Sequence, residues 1–323
     1  MKISEIKTKE NKVPCDGVFG VKSRVYPTYY PGGAGGWKFD LTLVDETGEI
    51  RLTYFEAEEA PIRVKYDSIP VGEIVKVAGK VNIYRNVTAI YTGWRSARSL
   101  ELANTAERAT VQFIPASNQD PDVLFSYVKD TVDSMTEGPL KVLMNSFMDD
   151  QFFVDDFKTK PGAMKFHHAC TGGLLEHTWE VLNHCKTTVE IHSSLKKDLV
   201  YAGAILHDIG KMRELEVGTG ITSTEEGALL GHIHLSIEMV NEKIHVLGEF
   251  PSDLKNRLFH ILLSHHEKLE YGSPVKAMTP EAITVASADS IGSKVSQYIR
   301  GVKDATTEDN KFYVRPIGWV YKD

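Results

Sequence analysis

Cysteine is scarce in this chain: Cys15, Cys170 and Cys185 are the only three, and no two form a CxxC pair. That excludes a disulfide-stapled scaffold and a zinc ribbon, and the three read as reduced thiols. Long apolar runs are missing as well. No stretch approaches the ~18 apolar residues that a membrane-spanning helix requires, and the opening MKISEIKTKENK is charged without an apolar core. No membrane partner is expected, and a cytoplasmic setting is the simplest expectation. An excess of positive charge is also absent: the net charge of −7 argues against a surface coated in basic residues for nonspecific nucleic-acid binding. Finally, the first 166 residues contain no histidine, and all 12 fall between His167 and His266. Histidines recruited for packing or solubility would scatter, so the second half has a specific use for imidazole.

At 323 residues the chain exceeds the usual single-domain size, which implies two domains. Charge divides in the same way. Residues 1–100 hold 15 Lys and Arg against 12 Asp and Glu, a net of +3, and the remainder holds 22 against 32, a net of −10.

Between about Val13 and Trp94 the chain alternates apolar and polar residues in short runs rich in Val, Ile, Thr and aromatics: GVFGVKSRVY, WKFDLTLVD, EIRLTYF, EIVKVAGKV and VTAIYTGW. This is the period of strands with one buried face. YYPGGAGG, DETGE and IPVGE supply the breaks, and YFEAEEAPIRVKY is a short helix or loop after the third strand. Five strands interrupted at that point suit a small all-β barrel of the OB type over residues 1–100, with another small barrel such as an SH3-like one as the alternative. Residues 101–121 have weak periodicity and read as a linker. From 122 to 305 the period becomes helical. DPDVLFSYVKDTVDSM puts Val123, Leu124, Tyr127, Val128 and Val132 on one stripe, and MTPE and FPSD look like helix starts. Residues 306–323 read as an extended, partly ordered tail.

Within the helical half, AILHDIGK delivers His207 and Asp208 at the end of an apolar run. Around it stand His177 in GGLLEHT, His232 in GHI, His265 and His266 in LSHHE, and Asp289 in ASADS. Four separate helices thus offer imidazole or carboxylate groups. That donor set suits a divalent ion such as Mn²⁺, Fe²⁺, Zn²⁺ or Mg²⁺. Five His and two Asp exceed what one ion needs; two ions sharing an Asp, about 3.5–4 Å apart, are a recurrent solution for phosphoester hydrolysis. The remaining His184, His192, His234, His245 and His260 read as ordinary hydrogen-bonded residues.

The pattern H…HD…H…HH…D resembles the metal signature of the HD-domain phosphohydrolase superfamily. More narrowly, HHACTGGLLEHT, HDIGK, GHI and LSHHEKLEYGSPVKAMTPEA behind an OB-like barrel are similar to the YhaM-type 3′-to-5′ exoribonucleases, over nearly the whole chain. The resemblance implies a multidomain protein, an OB barrel followed by an all-α HD domain. It implies one ion on His177, His207, Asp208 and Asp289 and a second on Asp208, His232, His265 and His266, with Mn²⁺ the leading candidate. Asp208 would bridge them, Lys211 would meet the substrate phosphate as a point charge, and His167 and His168, bordering the site, would bind the substrate phosphate. One departure stands out: where such families often carry a second acid in D-x-L-D, this chain has DSIG, with Gly292 at that place.

In the barrel, Tyr29, Tyr30 and Trp37, in or beside the Gly-rich loop, are candidates for stacking bases of a single strand, although aromatics on strands more often face a core. The expected activity is therefore metal-dependent 3′-to-5′ hydrolysis of single-stranded RNA, with DNA left open, to 5′-mononucleotides. Two alternatives stand beside it: a nucleotidase or cyclic-nucleotide phosphodiesterase with a regulatory barrel, and a nucleic-acid-binding protein with a vestigial site. A homo-oligomer is left open.

Overall fold

The computed structural model describes residues 1–322 apart from 33, 34, 95–98, 109–111, 165–167, 306, 308, 315 and 316. The chain divides into two units, one of residues 1–115 with 217–220 and the other of 116–216 with 221–323.

The first unit opens with a short helix, α1 (Ile3–Lys7), followed by β1 (Pro14–Tyr29), β2 (Trp37–Asp45) and β3 (Gly48–Glu56). Helix α2 (Glu59–Asp67) separates these from β4 (Ile74–Tyr84) and β5 (Val87–Gly93). The strand order is β1-β2-β3-β5-β4, and β4 also pairs with β1, so the sheet closes on itself. Closure depends on the length of β1. Its first half pairs with β4 from Pro14 to Gly20 and its second half with β2 from Gly20 onward, with one irregularity at Val21/Ser23 beside the changeover and another at Val25/Thr28 within the second half. A closed five-stranded sheet in this order, with a helix between its third and fourth strands, is the OB arrangement anticipated from the strand pattern. Its interior holds Phe19, Val21, Phe39, Leu41, Leu52, Val75 and Ile90, with Ile62 of α2 joining them. The residues between these along each strand face outward, which leaves Lys38, Asp40, Arg51 and Thr53 on the outer face.

The segment expected to be a linker begins in ordered structure: β6 (Leu100–Leu102) adds to β4, and α3 (Thr105–Arg108) follows.

The second unit is helical: α4 (Pro121–Asp133), α5 (Pro139–Met148), α6 (Gln151–Thr159), α7 (Gly173–Ile191), α8 (Lys197–Leu206), α9 (Lys211–Glu214), α10 (Glu225–Leu247), α11 (Ser252–Ser264) and α12 (Pro280–Asp304), with a β7–β8 ribbon (Leu215–Val217, Ile221–Ser223) before α10. Leu124, Val128 and Val132 of α4 are buried as the stripe predicts, whereas Val123 at its edge is exposed. Thr279 caps α12 by accepting the Ala282 N–H, which confirms MTPE as a start. Helix α8 is buried on every side from Leu199 to Leu206, as only a central helix can be. Its C-terminal end is the delivery point for His207 and Asp208. The tail, read as extended, pairs with itself as a hairpin of β9 (Lys311–Val314) and β10 (Gly318–Tyr321), held by the aromatic cross-strand pair Tyr313 and Trp319. No disulfide joins the three cysteines. Among the described residues no helix is long and apolar enough to cross a membrane.

Candidate active site

Asp208 follows directly from α8 and is almost fully buried, and the two oxygens of its carboxylate face different partners. Oδ2 lies 3.3 Å from Nε2 of His177 and 3.3 Å from Nε2 of His207. Oδ1 lies 3.5 Å from Nε2 of His232 and 3.5 Å from Nε2 of His265. Asp289 of α12 joins the first side, its Oδ1 3.2 Å from His177 Nε2. His266 joins the second, its ring 4.2 Å from that of His265 and 5.1 Å from that of His232. Two compact donor sets flank Asp208, His177–His207–Asp289 and Asp208–His232–His265–His266, and a third, His168–His177–Glu180, shares His177; in each the donor atoms lie within 4.8 Å of one another.

The imidazoles are held in one orientation by local structure. The Nδ1–H groups of His207 and His265 donate to carbonyls one turn back, Ala204 at 2.8 Å and Leu262 at 2.8 Å, and that of His266 donates to the Tyr271 carbonyl at 2.7 Å. A carbonyl can only accept, so the proton of each neutral ring sits on Nδ1 and the Nε2 lone pair points into the centre. On the second side, Asp208 Oδ1, His232 Nε2 and His265 Nε2 are buried and have no hydrogen-bond partner among the described residues. Leaving such atoms unsatisfied costs about 1–3 kcal/mol each, and a divalent cation is the ligand that a convergent set of lone pairs satisfies. The residues present therefore fit a metal ion.

Electrostatics agree. Burial alone would raise Asp208, but Lys211 and the neighbouring imidazoles hold it well below the carboxylate range. Burial also disfavours a charge on His177, yet the hydrogen-bonding carboxylates of Asp208 and Asp289 push it up to about 9, a measure of how strongly this corner attracts positive charge. His266 is pushed down to about 4 by burial and by His265 beside it, so it is neutral and a competent ligand at neutral pH. Lys211 places Nζ 2.7 Å from Asp208 Oδ2.

Two glycines shape the centre. Gly172 caps α7 in the left-handed region at φ 78°, and a Cβ on Gly173 would lie 2.1 Å from the His168 carbonyl oxygen, so this pair provides both a tight turn and a close backbone approach. Gly210 serves through its size and not through its conformation. Its angles are helical, φ −59° and ψ −21°, and its value is the missing Cβ, which would meet the His232 carbonyl oxygen at 2.0 Å.

His168 is 6% exposed, with Nε2 3.2 Å from Glu180 and Nδ1 3.7 Å from Glu176, and its ring lies 5.2 Å from that of His177. This position braces the His177 side of the centre. His167 lies outside the described residues. Glu176 and Glu180 escaped sequence reading, although their spacing of four on α7 puts both on one helix face, with Glu180 one turn after His177. Glu180 also faces Gly292, where a Cβ would lie 3.5 Å from its Oε2. His260 accepts the Met278 N–H at 2.9 Å, the structural role expected of it.

The other candidates belong to the first unit. Tyr29 and Trp37 form an edge-to-face pair at 5.9 Å, with Tyr29 60% exposed. Tyr30 lines a cavity of about 300 Å³ on the outer face of the sheet together with Lys12, Lys38, Arg51, Lys80 and Tyr91. Lys12, Lys80 and Tyr91 were not anticipated, because only the closed sheet brings them beside Arg51.

The helical unit is an HD domain: the HD domain family matches residues 174–292, which span the site from α7 to Gly292. Beyond the domain, the 3′-5′ exoribonuclease YhaM of Geobacillus sp. (strain WCH70) is 31% identical over 307 residues, covering 88% of this chain and 88% of that protein. The protein of the same name from Bacillus subtilis (strain 168) is 32% identical over 266 residues, covering 81% of this chain and 80% of its own. The chain belongs to the YhaM family.

Proposed function

We propose that this chain is a metal-dependent 3′-to-5′ exoribonuclease that releases 5′-mononucleotides from single-stranded RNA. The observation that carries this reading is the division of one buried carboxylate, Asp208, between two donor sets. His177, His207, Asp289 and Asp208 Oδ2 would hold one divalent ion, and Asp208 Oδ1, His232, His265 and His266 a second, with Mn²⁺ ahead of Fe²⁺, Mg²⁺ and Zn²⁺. When bound, such ions activate water and offset charge on the phosphoryl oxygens. Lys211 adds a fixed cation beside Asp208, suited to a non-bridging phosphate oxygen. In the first unit, Tyr29, Tyr30 and Trp37 with the basic cavity offer π-faces and cations, the two features a single strand needs. The names of the relatives support the polarity and the choice of RNA.

The test is gel analysis of 5′-labelled RNA with Mn²⁺, run beside DNA of the same sequence. Products should shorten stepwise from the 3′ end with release of 5′-mononucleotides. Internal cuts, or no cleavage, overturn the reading, and faster turnover of free or cyclic nucleotides than of oligomers replaces it with a nucleotidase.

A further inference from the structure

Helix α10 is not continuous in its backbone angles: Gly231 sits at φ 73° and ψ 153°. Such a break restarts the helix, and the first N–H groups after it have no carbonyl one turn back to receive them. The first is that of His232. It donates to Oε1 of Glu214 at 3.2 Å, and the other oxygen of the same carboxylate, Oε2, lies 3.1 Å from His232 Nδ1. Glu214 is itself fixed. Its carbonyl accepts the Thr224 N–H at 2.9 Å, and a Cβ on Gly227 would come within 2.5 Å of that carbonyl oxygen, so its backbone is pressed against the first turn of α10.

We propose that Glu214 is the positioning residue of the second donor set: one carboxylate caps the broken helix at His232 and locks the His232 ring with its proton on Nδ1. Nε2 then carries the lone pair toward Asp208 Oδ1. The inference rests on the metal reading of the site. His207, His265 and His266 obtain the same lock from backbone carbonyls within seven residues of themselves. His232 follows a helix break, where no carbonyl one turn back is available, and Glu214 supplies the acceptor from another element.

Both contacts require an acceptor, which distinguishes Glu from Gln. An amide has one accepting oxygen, so a Gln at 214 that serves the backbone N–H turns its NH₂ toward Nδ1. The amide then donates to Nδ1, and the ring proton moves to Nε2, where it blocks coordination.

The experiment uses the full chain with ¹⁵N-labelled histidine. In metal-free protein, long-range ¹H–¹⁵N spectra should show His232, assigned by its absence in His232→Asn, as the Nδ1–H tautomer, and Glu214→Gln should shift it to Nε2–H. In dialysis followed by elemental analysis, Glu214→Gln should lower the affinity for one Mn²⁺ by about 10- to 100-fold while the protein keeps its melting temperature. An Nε2–H tautomer in the unsubstituted protein, or unchanged tautomer and Mn²⁺ affinity in Glu214→Gln, overturns the proposal. Failure of the unsubstituted chain to bind Mn²⁺ overturns the metal reading instead, and the tautomer comparison still decides what Glu214 does.

Discussion

Replacing Gly210 with Ala adds one carbon where two backbones already touch. The new Cβ would lie 2.0 Å from the carbonyl oxygen of His232 and 2.6 Å from the amide nitrogen of Ser236. Both are main-chain atoms of α10, so no rotamer change relieves the overlap, and the turn bearing Asp208 must separate from the helix bearing His232 by about 1 Å or more. Two hydrogen bonds stretch with it: Gly210 N–H to Ser236 Oγ at 2.8 Å, and Ser236 Oγ–H to the His207 carbonyl at 3.2 Å. Local preference has the opposite sign, since Gly210 is helical and Ala is favoured there by about 1 kcal/mol. Overpacking this severe lies at the upper end of about 1–3 kcal/mol, and the two strained bonds add about 1 kcal/mol together. The net destabilisation is about 3 kcal/mol, or a melting temperature lower by roughly 6–12 °C for a unit of about 200 residues. Calorimetry measures this directly. Well below the melting point, a displacement of about 1 Å between Asp208 and His232 should also lower RNA hydrolysis by roughly 100-fold. A variant that melts at or above the parent temperature with full activity refutes the close-approach account of Gly210.

Asp208→Asn keeps the shape but removes the charge shared by both donor sets; hydrolysis should fall by at least about 100- to 1,000-fold with RNA binding retained, as filter binding and gel assays would show. Lys12→Ala with Lys80→Ala should weaken RNA binding and reduce the salt dependence of log K by about 1.4, at about 0.7 per lost phosphate contact; an unchanged salt slope removes the cavity from the binding face. Asp150 caps α6 and pairs with Lys243 Nζ at 2.7 Å, and these contacts hold its carboxyl below the usual range. Its contribution is therefore complete above its unfolded-state pKa and is lost as pH falls through the lower folded-state value. Asp150→Ala should cost about 1 kcal/mol at pH 7 and less in strong acid, a convergence visible in urea melts at the two pH values.

Much of the fold was legible because its signals are local. The alternation from Val13 to Trp94 and the Pro/Gly breaks marked the strands, and helical spacing marked Leu124, Val128 and Val132, because each element's own period records which face is buried. The extent of burial was less legible. Val123 shares that stripe yet lies exposed, since the width of a buried face depends on which neighbours pack there. The pairing of the tail was not legible, because two four-residue strands are too short to show a period and gain stability only by pairing.

The candidate site divides along the same line. The chain itself specifies the donor types, their presentation on separate helices and the clustering of every histidine in one half, because side-chain chemistry and helical phase are properties of short segments. Which oxygen of Asp208 faces which imidazoles, the approach that demands glycine at 210, and the reach of Glu214 across a helix break to His232 come from packing between segments far apart in the chain. Those relations are distances of a few ångströms between atoms that no short stretch contains together, so only the assembled helices decide them.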